Sequence, residues 1–318
     1  MIDPQEIKIL LLCSSRFALA AMRDMVFAKK LSLIAIPRHC DEMIEEVNIL
    51  LAGTGIPVLI LDKDNFESIL IKAVKEHSIN LGFVMTFSYK ISSNLSNSFS
   101  KGIFNVHPGP LPEYRGADPI FQQIRNRDQQ VGVTIHRLAE KMDAGPVVNR
   151  EMIRSDLKDT YGLLNLKLAE LAAKLTGTVT RMAELDLEIP SRPQDESRAR
   201  YFKRQSSKDI TINWESMDAG SIIALVNACN PWNKGAVTQL KHKIIRILQV
   251  EKTMEENYRD QIITPGIIQS ISETGIIVST LKNGEISIGF VYIDEGFMIA
   301  GRLADLGFFP GDKFITIG

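Results

Sequence analysis

The sequence predicts a doubly wound, mostly parallel α/β sheet through residue 189, a linker over 190–205, and a smaller open β-barrel over 206–318. Three observations predict this. Short apolar runs alternate with amphipathic stretches through the first half, the pattern of buried strands crossed by helices. That pattern stops where Pro190 and Pro193 stand among charged residues. From Lys241 onward, short β-branched runs (IIRILQV, GIIQSI, GIIVST, ISIGFV) are separated by Gly and Asn turns, as in a small barrel.

Each element follows from local chemistry. Residues 7–12 are apolar save for one Lys, which predicts a buried strand, and Ser14-Ser15 offers hydroxyls to cap the helix that follows. Residues 31–36 form the next strand, stopped by Pro37; a helix then runs to about Leu51 and ends near Gly53. Strands over 57–61, 81–85 and 103–106 alternate with a helix over 66–77. A helix over 118–127 and strands over 131–138 and 147–153 come next. A long helix over 160–185, with Leu at 163, 164, 166, 168, 171 and 175, completes the region.

Composition narrows the class. The 318 residues are 45% hydrophobic and 24% charged, enough for a large core and two domains. A net charge of −1 lacks the basic surplus of a dedicated nucleic-acid module, and the carboxy-terminal third is as evenly balanced. Lys203-Arg204 and the basic residues from Lys241 to Arg246 read as solvated faces and are the best local candidates for RNA contact. No apolar stretch approaches bilayer length and the first residues are acidic, so neither a membrane anchor nor a leader is expected. Three scattered cysteines without CxxC spacing argue against a disulfide framework or a zinc site and fit a reducing cytoplasm.

The chemistry concentrates at Asn105-Val106-His107, at the carboxyl end of a strand, where open α/β sheets place ligands. An amide and an imidazole two residues apart share one face of a strand. Asp143, in Asp143-Ala144-Gly145, supplies a carboxylate that can steer the imidazole or relay a proton. Such a set suits a carbonyl attacked by an amine, because fixed donors stabilise the developing oxyanion and no covalent nucleophile is needed. Pro108-Gly109-Pro110 gives the donors a stiff support. Gly116 and Gly145 allow close backbone approach. His136, inside an apolar run, reads as a structural histidine, and Trp214 and Trp232 as barrel-core anchors.

Four ordered blocks carry a family resemblance: Asn105-x-His107, Leu111-Pro112-x-x-Arg115-Gly116, Gly132-Val133-Thr134-Ile135 and Asp143-Ala144-Gly145. Together they resemble the 10-formyltetrahydrofolate-dependent formyltransferases. The resemblance implies formyl transfer from 10-formyltetrahydrofolate to a primary amine, without a metal, with Asn105, His107 and Asp143 as catalytic residues. It implies a folate pocket made by Ala139, Glu140 and Asp143 on one loop and by Met85, Phe87 and Ser88 at a strand end. Pro110, Arg115 and Asp118 are expected on the acceptor side.

Ile212-Asn213-Trp214 and Asn230-Pro231-Trp232 resemble the carboxy-terminal barrel of methionyl-tRNA formyltransferases, which implies initiator tRNA as the default acceptor. The pattern departs in three places. The family's long basic loop after the second strand is missing, since Pro37 to Cys40 runs straight into Asp41-Glu42. Gly109 replaces a Ser, and Asp118 replaces an Ala in Ala117-Asp118-Pro119. A small amine, such as an amino sugar nucleotide or a peptide-biosynthesis intermediate, is therefore an alternative acceptor. Water is another, which would give a formyltetrahydrofolate hydrolase. No DNA or membrane partner is expected.

Overall fold

Ile9–Cys13 (β1) has no polar side chain and is buried at every position, as the apolar run requires. In the computed structural model of the chain, which describes residues 5–253, 264–282 and 284–317, Ser15 accepts the Phe17 N–H to cap a short turn. The turn opens α1 (Leu19–Phe27), and β2 (Leu31–Pro37), α2 (Asp41–Leu50), β3 (Val58–Leu61), α3 (Phe66–Glu76) and β4 (Leu81–Met85) continue the alternation. A short α4 (Ser93–Ser96) precedes β5 (Ile103–His107) and β6 (Arg115–Gly116). Then come α5 (Pro119–Arg125), β7 (Gln130–Arg137), β8 (Val147–Arg154) and the long α6 (Tyr161–Glu184). Residues 1–4 of the acidic amino-terminal segment lie outside the described residues.

Strand order in the first sheet is β3-β2-β1-β4-β5-β7-β8. The five strands from β3 to β5 pair in parallel, as the sequence predicts. The other two make the sheet mostly rather than wholly parallel, as expected: β7 runs antiparallel to β5, and β8 antiparallel to β7. Leu10, Leu12, Leu33, Leu70, Val74 and Val84 pack into the core on one face of this sheet. On α6, Leu164, Leu168, Leu171 and Leu175 form a buried stripe at helical spacing, while Leu163 and Leu166 turn outward.

The chain divides into two compact units. One gathers the chain through Pro119 with Gln130–Arg154 and Asn165–Phe202; the other gathers Ile120–Gln129, Ser155–Leu164 and everything from Lys203. In the first, β9 (Tyr201–Phe202) pairs in parallel with β6.

The second unit holds α7 (Ala219–Cys229), β10 (Ala236–Leu240), β11 (Lys243–Lys252), β12 (Ile268–Ser272), β13 (Gly275–Ser279), β14 (Glu285–Ile293), β15 (Gly296–Ile299) and β16 (Phe314–Ile315). Its antiparallel sheet runs β12-β13-β14-β11-β10-β16, with β15 also on β14. A bridge between Ile267 and Lys313, with the Phe314 N–H donating to Gly266 O at 2.8 Å, ties the two ends together and curls the sheet towards a barrel. Trp214 is the central anchor. It is fully buried, stacks on Phe314 at 5.4 Å and donates from Nε1 to Thr238 Oγ1 at 2.8 Å. Trp232 differs from the expected core anchor: it is 46% exposed, and its Nε1 donates to Ala228 O at 2.7 Å.

Candidate active site

The antiparallel step from β5 to β7 builds the site. Its register sets Asn105 opposite His136 and His107 opposite Thr134. Directly opposed residues in an antiparallel pair point to the same face, so two polar pairs stand side by side at the strand end. Thr134 Oγ1 donates to Gly109 O at 2.8 Å and accepts the Leu111 N–H at 3.1 Å, which pins the Pro-Gly-Pro loop to β7. A Cβ on Gly109 would stand 2.8 Å from Pro119 Cβ, so this packing leaves no room for a larger residue there.

His107 is buried, and its Nε2 lies 2.6 Å from Tyr114 O. A carbonyl only accepts, so Nε2 carries the proton and Nδ1 faces Asp143 Oδ2 at 3.8 Å. Asp143 adopts a left-handed φ of 54°, which turns its carboxylate back into the cluster. Oδ2 accepts the Gly116 N–H at 2.8 Å; Oδ1 lies 3.3 Å from Asn105 Nδ2 and 3.6 Å from His136 Nε2.

Burial is the largest influence on both titrating groups, and it acts in opposite senses. It pushes the His107 pKa down against the pull of Asp143, so the imidazole is neutral at neutral pH. For Asp143 burial works upward. It is outweighed by the nearby His107 and by the Gly116 N–H, which hold the carboxyl at about 2. An ionised carboxylate thus faces the bare Nδ1 of a neutral imidazole, and a proton placed on that nitrogen would point at Oδ2.

The segment after Glu188, read as a linker, also supports the site. Gln194 Nε2 donates to Asp143 O at 2.8 Å and to Gly145 O at 2.7 Å. Arg115 donates from Nε to Gln194 Oε1 at 3.0 Å, and from Nη1 to Glu196 Oε2 at 3.0 Å and Tyr201 Oη at 2.8 Å. Its side chain is 0% exposed, and its guanidinium is taken up by these protein partners. Gly116 has φ 100°, and a Cβ there would meet Phe202 O at 2.2 Å, which makes the β6–β9 contact a glycine-only approach.

The remaining sequence-predicted residues spread around the strand ends. Met85 ends β4 and is buried, and Phe87 packs at 5.3 Å edge-on to Tyr89. Ser88 Oγ lies 3.2 Å from His39 Nε2 and 3.3 Å from Ser14 Oγ, so it caps the neighbouring β1 and β2 ends. Ala139 and Glu140 are exposed on the turn that leads to Asp143; Pro110 is buried, and Asp118 is half-buried just before α5 with φ 50°. Sequence reasoning missed the roles of His136, Thr134 and Gln194. Burial pushes the thiols of Cys13 and Cys229 up to about 12, so neither offers a thiolate.

Residues 42–180 match the family described as formyl transferase, and 205–302 match the formyl transferase C-terminal domain. A methionyl-tRNA formyltransferase from Halothermothrix orenii is 32% identical over 266 residues, 82% of this chain and 78% of that protein. The chain belongs to the formyltransferase family. It is accordingly an enzyme that transfers formyl groups. Among solved structures, HypX from Aquifex aeolicus in complex with tetrahydrofolic acid has a TM-score of 0.65 at 17% identity, over 94% of this chain and 47% of HypX, so this chain spans about half the HypX length. An N-formyltransferase from Helicobacter canadensis, in complex with folinic acid and dTDP-3-aminofucose, has a TM-score of 0.65 at 17% identity, over 89% of this chain and 99% of that one. Both show the same fold.

Proposed function

We propose that the enzyme moves the formyl group of 10-formyltetrahydrofolate to the α-amine of methionyl-tRNA. The carrying observation is the 32% identity to a methionyl-tRNA formyltransferase across both domains of the chain. Asn105, His107 and Asp143 are the catalytic residues in this reading, in a catalytic domain over 1–189 joined by a linker over 190–205 to a barrel domain over 206–318. The enzyme would work in the cytoplasm, where folate and charged tRNA meet.

The residues fit the donor. The Asn105 amide N–H can meet a carbonyl oxygen while a neutral imidazole and an ionised carboxylate stand ready for the proton of the attacking amine, and the half-buried Phe87 ring offers apolar surface to a flat heterocycle at the β4 end. Folate is expected against Met85, Phe87, Ser88, Ala139, Glu140 and Asp143, and the acceptor near Pro110 and Asp118. The donor supplies the formyl group. Asn105 Nδ2 directs one hydrogen at His136 and the other, across a looser 3.3 Å, at Asp143. The second hydrogen, only loosely engaged, is the donor for the negative charge that develops on a carbonyl oxygen. The proton leaving the attacking amine is received between His107 Nδ1 and Asp143.

A small-amine acceptor is the second reading. The β2–α2 connection is only Arg38, His39 and Cys40, Arg38 is held by Asp62 at 2.7 Å, and α2 opens on Asp41 and Glu42. That connection has no basic loop for RNA. The test is formyl transfer to charged initiator tRNA beside amino sugar nucleotides and water, at two salt concentrations. A tRNA acceptor loses affinity steeply as salt rises, whereas a small amine does not. Turnover with an amino sugar nucleotide alone would replace the tRNA reading. Release of formate without an amine would make the enzyme a hydrolase.

A further inference from the structure

Asn105 can serve a developing oxyanion only if its amide nitrogen, rather than its oxygen, faces the reacting centre. An amide side chain has no intrinsic preference between these orientations; its neighbours decide. The neighbour here is His136, directly opposite on β7, whose Nε2 lies 2.9 Å from Asn105 Nδ2. The other ring nitrogen, Nδ1, lies 2.8 Å from Arg137 O. A carbonyl brings no proton to that contact, so Nδ1 carries one and Nε2 is a bare acceptor. A bare acceptor requires an N–H from Asn105, and the amide is fixed nitrogen-inward. The opposite tautomer would set a lone pair against Arg137 O at 2.8 Å and would reach Asp143 Oδ1 only at 3.6 Å, beyond hydrogen-bonding range.

We propose that His136 is a positioning residue that sets the orientation of the Asn105 amide. The proposal rests on the reading of Asn105 as a catalytic donor. The carbonyl that fixes the tautomer is itself held. Arg137 N–H donates to Pro146 O at 3.0 Å, and its guanidinium donates to Ile189 O at 2.9 Å over the Phe104 ring. A Cβ on Gly145 would stand 1.7 Å from Arg137 O, so the glycine of Asp143-Ala144-Gly145 is what lets this carbonyl sit under the imidazole. The β7–β8 pairing slips by one residue between Ile135 and His136, a bulge of the kind that re-aims a side chain beside a site. The order of dependence is Gly145, Arg137 carbonyl, His136 tautomer, Asn105 amide.

The test is a double-mutant cycle in kcat at saturating donor and acceptor, using N105A, H136F and the double variant, with H136Q as the restoring change. H136F removes the acceptor and keeps the bulk. It should lower kcat between about 10- and 100-fold, no more than the loss of one oxyanion donor, with both KM values nearly unchanged. H136Q, whose Oε1 stands in for Nε2, should recover most of that loss. The double variant should be no slower than N105A. A histidine that merely packs would lower Tm and both KM values without this pattern. Wild-type kcat in H136F, or losses that multiply in the double variant, would overturn the proposal. Wild-type kcat in N105A would instead remove the catalytic reading, and this inference with it. H136M repeats the cycle should the Phe variant fail to fold.

Discussion

The two ends of this chain treat their polar groups in opposite ways. In the first unit Asn105, His107, His136 and Asp143 sit within hydrogen-bonding or ion-pair reach of one another, buried or half-buried, with a charge among them. In the second, the interior is Trp214, Phe314, Ile245, Ile276, Ile288 and Val291, and the Trp214 indole spends its N–H on Thr238. Burying an ionised group costs several kcal/mol unless partners compensate, whereas apolar packing needs no such compensation. The first arrangement is retained only where chemistry needs it. The second is what a scaffold needs.

Breaking the polar side should have the largest effect. Asp143→Asn removes the charge that faces His107 and should lower kcat by about 10³-fold, the scale of losing a preorganised electrostatic partner. Steady-state kinetics checks this, with the donor KM held within about threefold. Next comes linkage. The Asp143 pKa of about 2 lies below the unfolded carboxyl value, so the group contributes about 2 kcal/mol of stability, present above pH 4 and lost as pH falls through 2. Urea midpoints measured between pH 2 and 5 should therefore fall more steeply for the wild type than for Asp143→Asn.

The barrel offers the counterpart. Trp214→Phe deletes a buried hydrogen bond and leaves a small void, and should cost roughly 2 kcal/mol of stability in a urea titration with kcat within twofold. A larger kcat loss would mean that the barrel is more than scaffold. Smallest is Gln194→Ala. It frees the Asp143 and Gly145 carbonyls from their support and should reduce kcat about fivefold, a loss that Gln194→Glu does not restore because a carboxylate cannot donate to them.

Much of this was legible. The apolar runs at 9–13, 31–37 and 81–85 announce strands because strands buried on both faces have no polar alternation to disguise them. Asn105, His107 and Asp143 are legible because a carbonyl-handling site needs an amide, an imidazole and a carboxylate. His136 was hidden because strand pairing is not written in the sequence: only the antiparallel β5–β7 register sets it opposite Asn105. The partners of Arg115 were not legible because Gln194, Glu196 and Tyr201 stand about eighty residues away in a segment read as a linker. Periodicity carries no signal for such contacts. The exposure of Trp232 was equally invisible, since an indole that caps its own helix looks in sequence like one that fills a core.

The most direct measurement is formyl transfer from 10-formyltetrahydrofolate to charged initiator tRNA by the wild type and by His107→Ala, with binding of a non-reactive folate measured in parallel. The account expects formylmethionyl-tRNA from the wild type, a loss of about 10³-fold or more in the variant, and unchanged folate affinity. A variant that formylates at more than a tenth of the wild-type rate would contradict the assignment of the buried His107–Asp143 pair as the proton-handling centre.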